Sequence, residues 1–134
     1  MKRHESREQA LILLFESTFE GNSADEILDL ASTVRNEKIS SFTKELFKGT
    51  IDNMEDIDSY IEKYIIGWTK NRLSKLVISI LRLSIFEMIY YKNTPIDVCI
   101  SEAVTLAKKY ASPEDASYIN GVLGTLSANI DKKD

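Results

Sequence analysis

Leu73 to Tyr91 reads LSKLVISILRLSIFEMIYY. Its apolar residues occupy most of the circumference of a helical wheel, which is the pattern of a helix with neighbours on nearly every side. The spacing therefore predicts a central helix over this stretch, with Ile80 and Leu81 buried. Its apolar core, Leu76 to Ile89, is broken by Ser79, Arg82, Ser84 and Glu87, so it is too short and too polar to span a bilayer. Arg82 and Glu87, five positions apart, do not share a face. A buried charge is costly unless compensated, so each is expected to find a partner on another helix or at a helix end.

Working outward, the punctuation is that of further helices. Residues 6 to 19 set Ala10, Leu11, Leu14 and Phe15 on one stripe, and Gly21-Asn22 ends the segment. Ser23 with Glu26 three positions later is a capping-box pattern opening a short helix with Ile27, Leu28 and Ala31 inward. A segment holding Phe42, Leu46 and Met54 follows. Ile57, Tyr60, Ile61, Tyr64 and Ile65 then keep the i, i+3, i+4 spacing of an amphipathic helix. Thr94-Pro95 and Ser112-Pro113 each set a cap residue before a proline at the first helical position, with Asp97 and Asp115 three residues after the caps, and open two more helices. No period-2 alternation, glycine-rich phosphate loop or internal repeat interrupts this, so the expectation is an all-α bundle of about seven helices.

Composition sets independent bounds. A chain of 134 residues, 43% hydrophobic, makes one compact domain that buries roughly two-thirds of its unfolded surface. The N-terminus shows no apolar stretch before its first charges, so no secretory signal is expected. The single cysteine, Cys99, cannot form an internal disulfide, and both observations point to a cytoplasmic protein. Cys99 is expected to be a buried or inert thiol. His4 is the one histidine, so a histidine-based triad or metal site is hard to assemble. The expectation is a non-enzyme without metal or cofactor.

Charge is segregated along the chain. The net charge is −4, yet Glu20 to Glu62 carries 11 acids against 4 bases, while Lys63 to Lys92 carries 6 bases against 1 acid. Lys2, Arg3 and Arg7 add positive charge at the N-terminus, partly offset by Glu5 and Glu8, and Lys108-Lys109 precedes the turn to the last helix. Such clusters are either ordinary solvated faces or a nucleic-acid footprint.

Four motifs decide between these. Leu81-Arg82-Leu83 runs into Phe86-Glu87-Met88, Ser101-Glu102-Ala103-Val104 into Leu106-Ala107-Lys108, and Asn120-Gly121-Val122-Leu123 follows; Arg7-Glu8-Gln9-Ala10 leads to Leu14-Phe15 at the other end. In this order and spacing the chain resembles the NusB family of transcription antitermination factors over nearly its whole length, least so at residues 22 to 40. The resemblance implies a single RNA-binding domain over 1-134, built as two packed three-helix subdomains (about 1-67 and about 68-130). It further implies binding of boxA, a short single-stranded element of ribosomal RNA leaders, together with the small-subunit ribosomal protein NusE. Promotion of ribosomal RNA transcription would follow, with other Nus factors and RNA polymerase joining through the complex.

On matching positions, the resemblance assigns Arg7 a phosphate or base contact, Lys2 and Arg3 further phosphate contacts, and Tyr118 a stacking face, with Lys109 and Asn120 completing the RNA surface. Stacking suits single strands because every unpaired base offers a π-face; Tyr118 could equally be a half-buried aromatic beside Ile119. Phe15, Phe19, Asn71 and Lys75 are the expected NusE contacts, with plain core the alternative for Phe15. Trp68 is expected in the core. Gly124 is expected where another helix approaches closely, and Gly121 either there or against an RNA backbone. Relatives often carry charge around Val77 and Ile78, so an acidic partner contact there does not transfer to this chain. Two other readings stand beside this one. The first is a helical adaptor that binds protein only, including a homodimer that masks its RNA surface. The second is an accessory domain of a ribosomal RNA methyltransferase, for which the chain offers no βαβ unit.

Overall fold

The computed structural model describes residues 1–19, 21–65 and 73–130. Within them the chain forms seven α-helices and no strand: α1 (Arg3–Ser17), α2 (Ala24–Asp29), α3 (Ser41–Asp52), α4 (Met54–Tyr64), α5 (Lys75–Tyr90), α6 (Ile96–Tyr110) and α7 (Pro113–Ser127). Trp68 and Asn71 lie outside the described residues.

The long apolar run becomes the centre of the bundle. α5 packs against α1, α3, α4, α6 and α7, and Ile80, Leu81, Ile85, Met88 and Ile89 have no exposed surface. Val77 is buried and Ile78 half-buried. Two of its charged residues, Arg82 and Glu87, are paired with other helices. Arg82 reaches α4, where Nε and Nη2 donate to the two carboxylate oxygens of Asp58 at 2.8 and 2.9 Å. Glu87 is taken up by α1.

Local signals set most helix starts. Ser23 Oγ accepts from the Glu26 N–H, and the Glu26 carboxylate accepts from the Ser23 N–H, closing the reciprocal cap of α2. These bonds hold the Glu26 carboxyl below its ordinary range, the backbone bond from Ser23 contributing most. Ile27, Leu28 and Ala31 face inward. α2 then widens into a π-helical turn over Leu30–Val34 and stops at Asn36, whose φ of 56° is a left-handed conformation that asparagine tolerates. Ser112 caps α7 with Pro113 in its first turn. The segment around Phe42, Leu46 and Met54 is two helices, because Asn53 breaks the chain between α3 and α4.

Two expectations are corrected. Thr94 does not cap α6: Pro95 takes that position and Thr94 is buried. Gly124 is not a close-packing site, because a Cβ added at Gly124 or Gly121 would meet nothing within 4 Å. The close approach is at Gly49, where a Cβ would fall 2.2 Å from the Phe86 ring. Gly49 lets α3 lie on α5 with that ring between them.

Candidate nucleic-acid and partner interface

α1 is anchored along its first two turns. Ser6 Oγ and Ser40 Oγ are hydrogen-bonded at 2.8 Å, Ser40 Oγ and Thr43 Oγ1 likewise at 2.8 Å, and Thr43 Oγ1 donates to the Ser6 carbonyl. This hydroxyl chain ties α1 to the start of α3. At the next residue, Arg7 enters the core. Its Nε and Nη2 donate to the Glu87 carboxylate at 2.9 and 2.7 Å, and its Nη1 lies 3.3 Å from Glu102 of α6.

Arg7 is therefore not where the resemblance put it. It is 6% exposed and Glu87 2%, and its charge is already compensated by two carboxylates. Burial works against the cation, but the hydrogen bond and charge of Glu87, with Glu102, outweigh it and raise the Arg7 pKa. A guanidinium held this way joins α1, α5 and α6. A single sequence could not reveal this, since the pair is 80 residues apart.

Three of the other expected RNA residues, Lys2, Arg3 and Lys109, sit near this anchor. Lys2 is exposed at the N-terminal end of α1. Arg3, also exposed, lays its guanidinium 3.8 Å from the Phe42 ring centroid and donates from Nη1 to Tyr91 Oη at 3.0 Å. Lys109, near the end of α6, pairs with Glu8 of α1 at 2.7 Å, and that hydrogen bond raises its pKa. Exposed pairs of this kind contribute little and exchange readily. So the Arg7–Glu102 and Lys109–Glu8 contacts bring the start of α1 beside α6, and the turn to α7 follows directly. On α7, Asn120 is exposed and Tyr118 half-buried, with burial raising the Tyr118 pKa.

A second surface forms at the other end of α1. Phe15 is half-buried and Phe19 60% exposed; their rings meet edge to face at 4.9 Å. Lys75, at the start of α5, places Nζ 4.1 Å from the Phe19 ring centroid and 3.5 Å from the Thr18 carbonyl. Three of the four expected partner residues thus form one aromatic and cationic cluster.

Cys99 is buried and forms no disulfide. Among the described residues, no group of three His, Cys, Asp or Glu side chains is placed to hold a metal ion, and no helix is long and apolar enough to cross a membrane.

Comparison with known proteins agrees with this architecture. The family model for the NusB family matches residues 4–128. The transcription antitermination protein NusB of Acetivibrio thermocellus is 40% identical, with 92% of this chain and 87% of that protein covered. Its counterpart in Clostridium botulinum strain Kyoto is 37% identical, over 94% of this chain and 99% of that protein. Among solved structures, antitermination factors NusB and NusE in complex with dsRNA give a TM-score of 0.84 at 27% identity, covering 97% of this chain and 100% of that one. NusB of T. maritima gives 0.83 at 28% identity, over 96% of this chain and 92% of that one. With one helical architecture and one sequence pattern shared from end to end, the chain belongs to the NusB family of non-enzymatic transcription antitermination factors.

Proposed function

We propose that this protein binds boxA-type RNA jointly with the ribosomal protein NusE and promotes ribosomal RNA transcription in the cytoplasm, with other Nus factors and RNA polymerase joining through that complex. The observation that carries the reading is the likeness, over 97% of the chain, to a NusB bound to NusE and dsRNA. Lys2, Arg3 and Lys109 supply phosphate-facing charge at one end of α1, and Tyr118 and Asn120 on α7 complete the proposed RNA surface. Arg7 acts from within by fixing that end of the helix. Phe15, Phe19 and Lys75 present the NusE surface, and Asn71 belongs to the same proposal. Three exposed cations on a chain of net charge −4 neutralise few phosphates, which is why a basic partner is needed for tight binding.

The test is a titration of boxA-type RNA, single-stranded and in duplex form, with the protein alone and then with NusE. Weak binding alone and much tighter binding with NusE is the expected result. Phe19→Ala should remove the gain while leaving the weak intrinsic binding, at a cost of about 2 kcal/mol, or roughly thirty-fold, if Phe19 is an anchor. If NusE brings no gain and gel filtration shows a dimer that Phe19→Ala dissociates, the self-associating adaptor is the better reading.

A further inference from the structure

Arg3 differs from Arg7 and Lys109 at this end of the molecule. Among the described residues no carboxylate pairs with it, whereas Arg7 faces two and Lys109 one. Its neighbours are aromatic instead. Phe42 and Tyr91, 7% and 8% exposed, pack at 5.3 Å with their planes 57° apart and form a fixed corner. The Arg3 guanidinium sits in that corner, 3.8 Å from the Phe42 centroid and 5.9 Å from that of Tyr91. At 3.8 Å there is no room for an atom between guanidinium and ring, so one face is covered while the residue remains exposed. The Nη1 bond to Tyr91 Oη at 3.0 Å further restrains the group.

We infer that Arg3 is a base-stacking platform: the outer face of its guanidinium, backed by Phe42 and restrained by Tyr91, receives one unpaired nucleobase of the bound RNA. This rests on the RNA reading above and gives Arg3 a different role from the phosphate contact expected of it. A planar cation stacks on an aromatic ring and on a nucleobase by the same interaction, and unpaired bases do stack on arginine planes. Phosphate, by contrast, is gripped along the N–H edge, part of which is already directed at Tyr91. Because the plane is held before RNA arrives, little freedom is lost when a base settles on it. Phe42 and Tyr91 are positioning residues, acting through Arg3.

The experiment uses the full chain with NusE and a boxA-type single strand carrying one abasic site, moved along the sequence. Arg3→Lys keeps the charge and discards the plane. Expected is about a ten-fold loss of affinity for Arg3→Lys, within the range for one stacked base, with the salt dependence unchanged because the charge count is unchanged. At one position the abasic site should cost wild type a similar factor and cost Arg3→Lys nothing further. Tyr91→Phe keeps the ring and removes the hydroxyl that accepts from Arg3, and should weaken binding a few-fold and blunt the effect of that same abasic position. Arg3→Lys binding as wild type does, or no abasic position coupled to it, overturns the platform while leaving the RNA reading intact. Wild type failing to bind RNA under all conditions overturns both.

Discussion

Arg7→Ala is expected to be the most damaging single substitution in α1, through stability rather than lost phosphate contact. It removes a guanidinium that makes three hydrogen bonds to Glu87 at 2.7 to 3.1 Å and deprives a carboxylate only 2% exposed of those bonds. Breaking a buried pair from one side costs about 3–5 kcal/mol. Glu102, with a side chain 26% exposed, can turn to water and adds little. For a domain of this size roughly 3 °C of melting temperature is lost per kcal/mol, so a fall of roughly 10–15 °C follows. The cost should lie in the buried carboxylate that has lost these bonds, so Arg7→Met with Glu87→Leu should recover most of it, apolar replacements of buried pairs often being neutral or better. Urea denaturation followed by helical circular dichroism measures all three proteins. A loss below about 1 kcal/mol for Arg7→Ala, or a double variant no better than the single one, would refute this account.

Other outcomes follow from the same geometry. Gly49→Ala should destabilise by about 1–2 kcal/mol, because the Cβ clashes with Phe86 at 2.2 Å and overpacking outweighs the better helix propensity of alanine; Gly124→Ala, in open space, should stabilise by up to about 1 kcal/mol, both read from urea midpoints. Ser112→Ala should cost about 1 kcal/mol by removing the oxygen that accepts from the Asp115 N–H at 3.0 Å, checked by the same unfolding curves. The folded Glu26 carboxyl lies below its ordinary value near 4.5, so its contribution is complete above that pH and is lost as pH falls through the folded value. Glu26→Gln keeps the reach to Ser23 without titrating; the stability difference between it and wild type should hold constant above about pH 5 and shift against wild type towards pH 3.

What sequence could and could not reveal follows from the range of each interaction. The burial of α5 was legible because a helix enclosed on all sides must be apolar on all sides, and Leu73 to Tyr91 is. The caps at Ser23 and Ser112 were legible because cap and capped N–H lie three residues apart. Thr94 misled because the pattern at Ser112-Pro113 recurs there, yet the chain starts α6 one residue later and buries the threonine. That Arg82 and Glu87 needed partners was visible from the cost of burying charge; that Glu87 would take Arg7, and so draw it into the core, was not. Gly49 drew no notice, since its role depends on where Phe86 places its ring. The corner that Phe42 and Tyr91 build around Arg3 is likewise a property of three distant positions.

The fastening of α1 bears on how its first turn moves. Helix ends ordinarily fray, opening locally at a free-energy cost far below that of global unfolding. Here the first two turns are held to α3 by the Ser6–Ser40–Thr43 chain, to α5 and α6 by Arg7, and to the Phe42–Tyr91 corner by Arg3. Backbone amides bonded to carbonyls in these turns should exchange with solvent deuterium nearly as slowly as those of α5, and much faster in Arg7→Ala. A terminus of this kind behaves as a rigid edge, and a ligand meeting it finds its geometry already set.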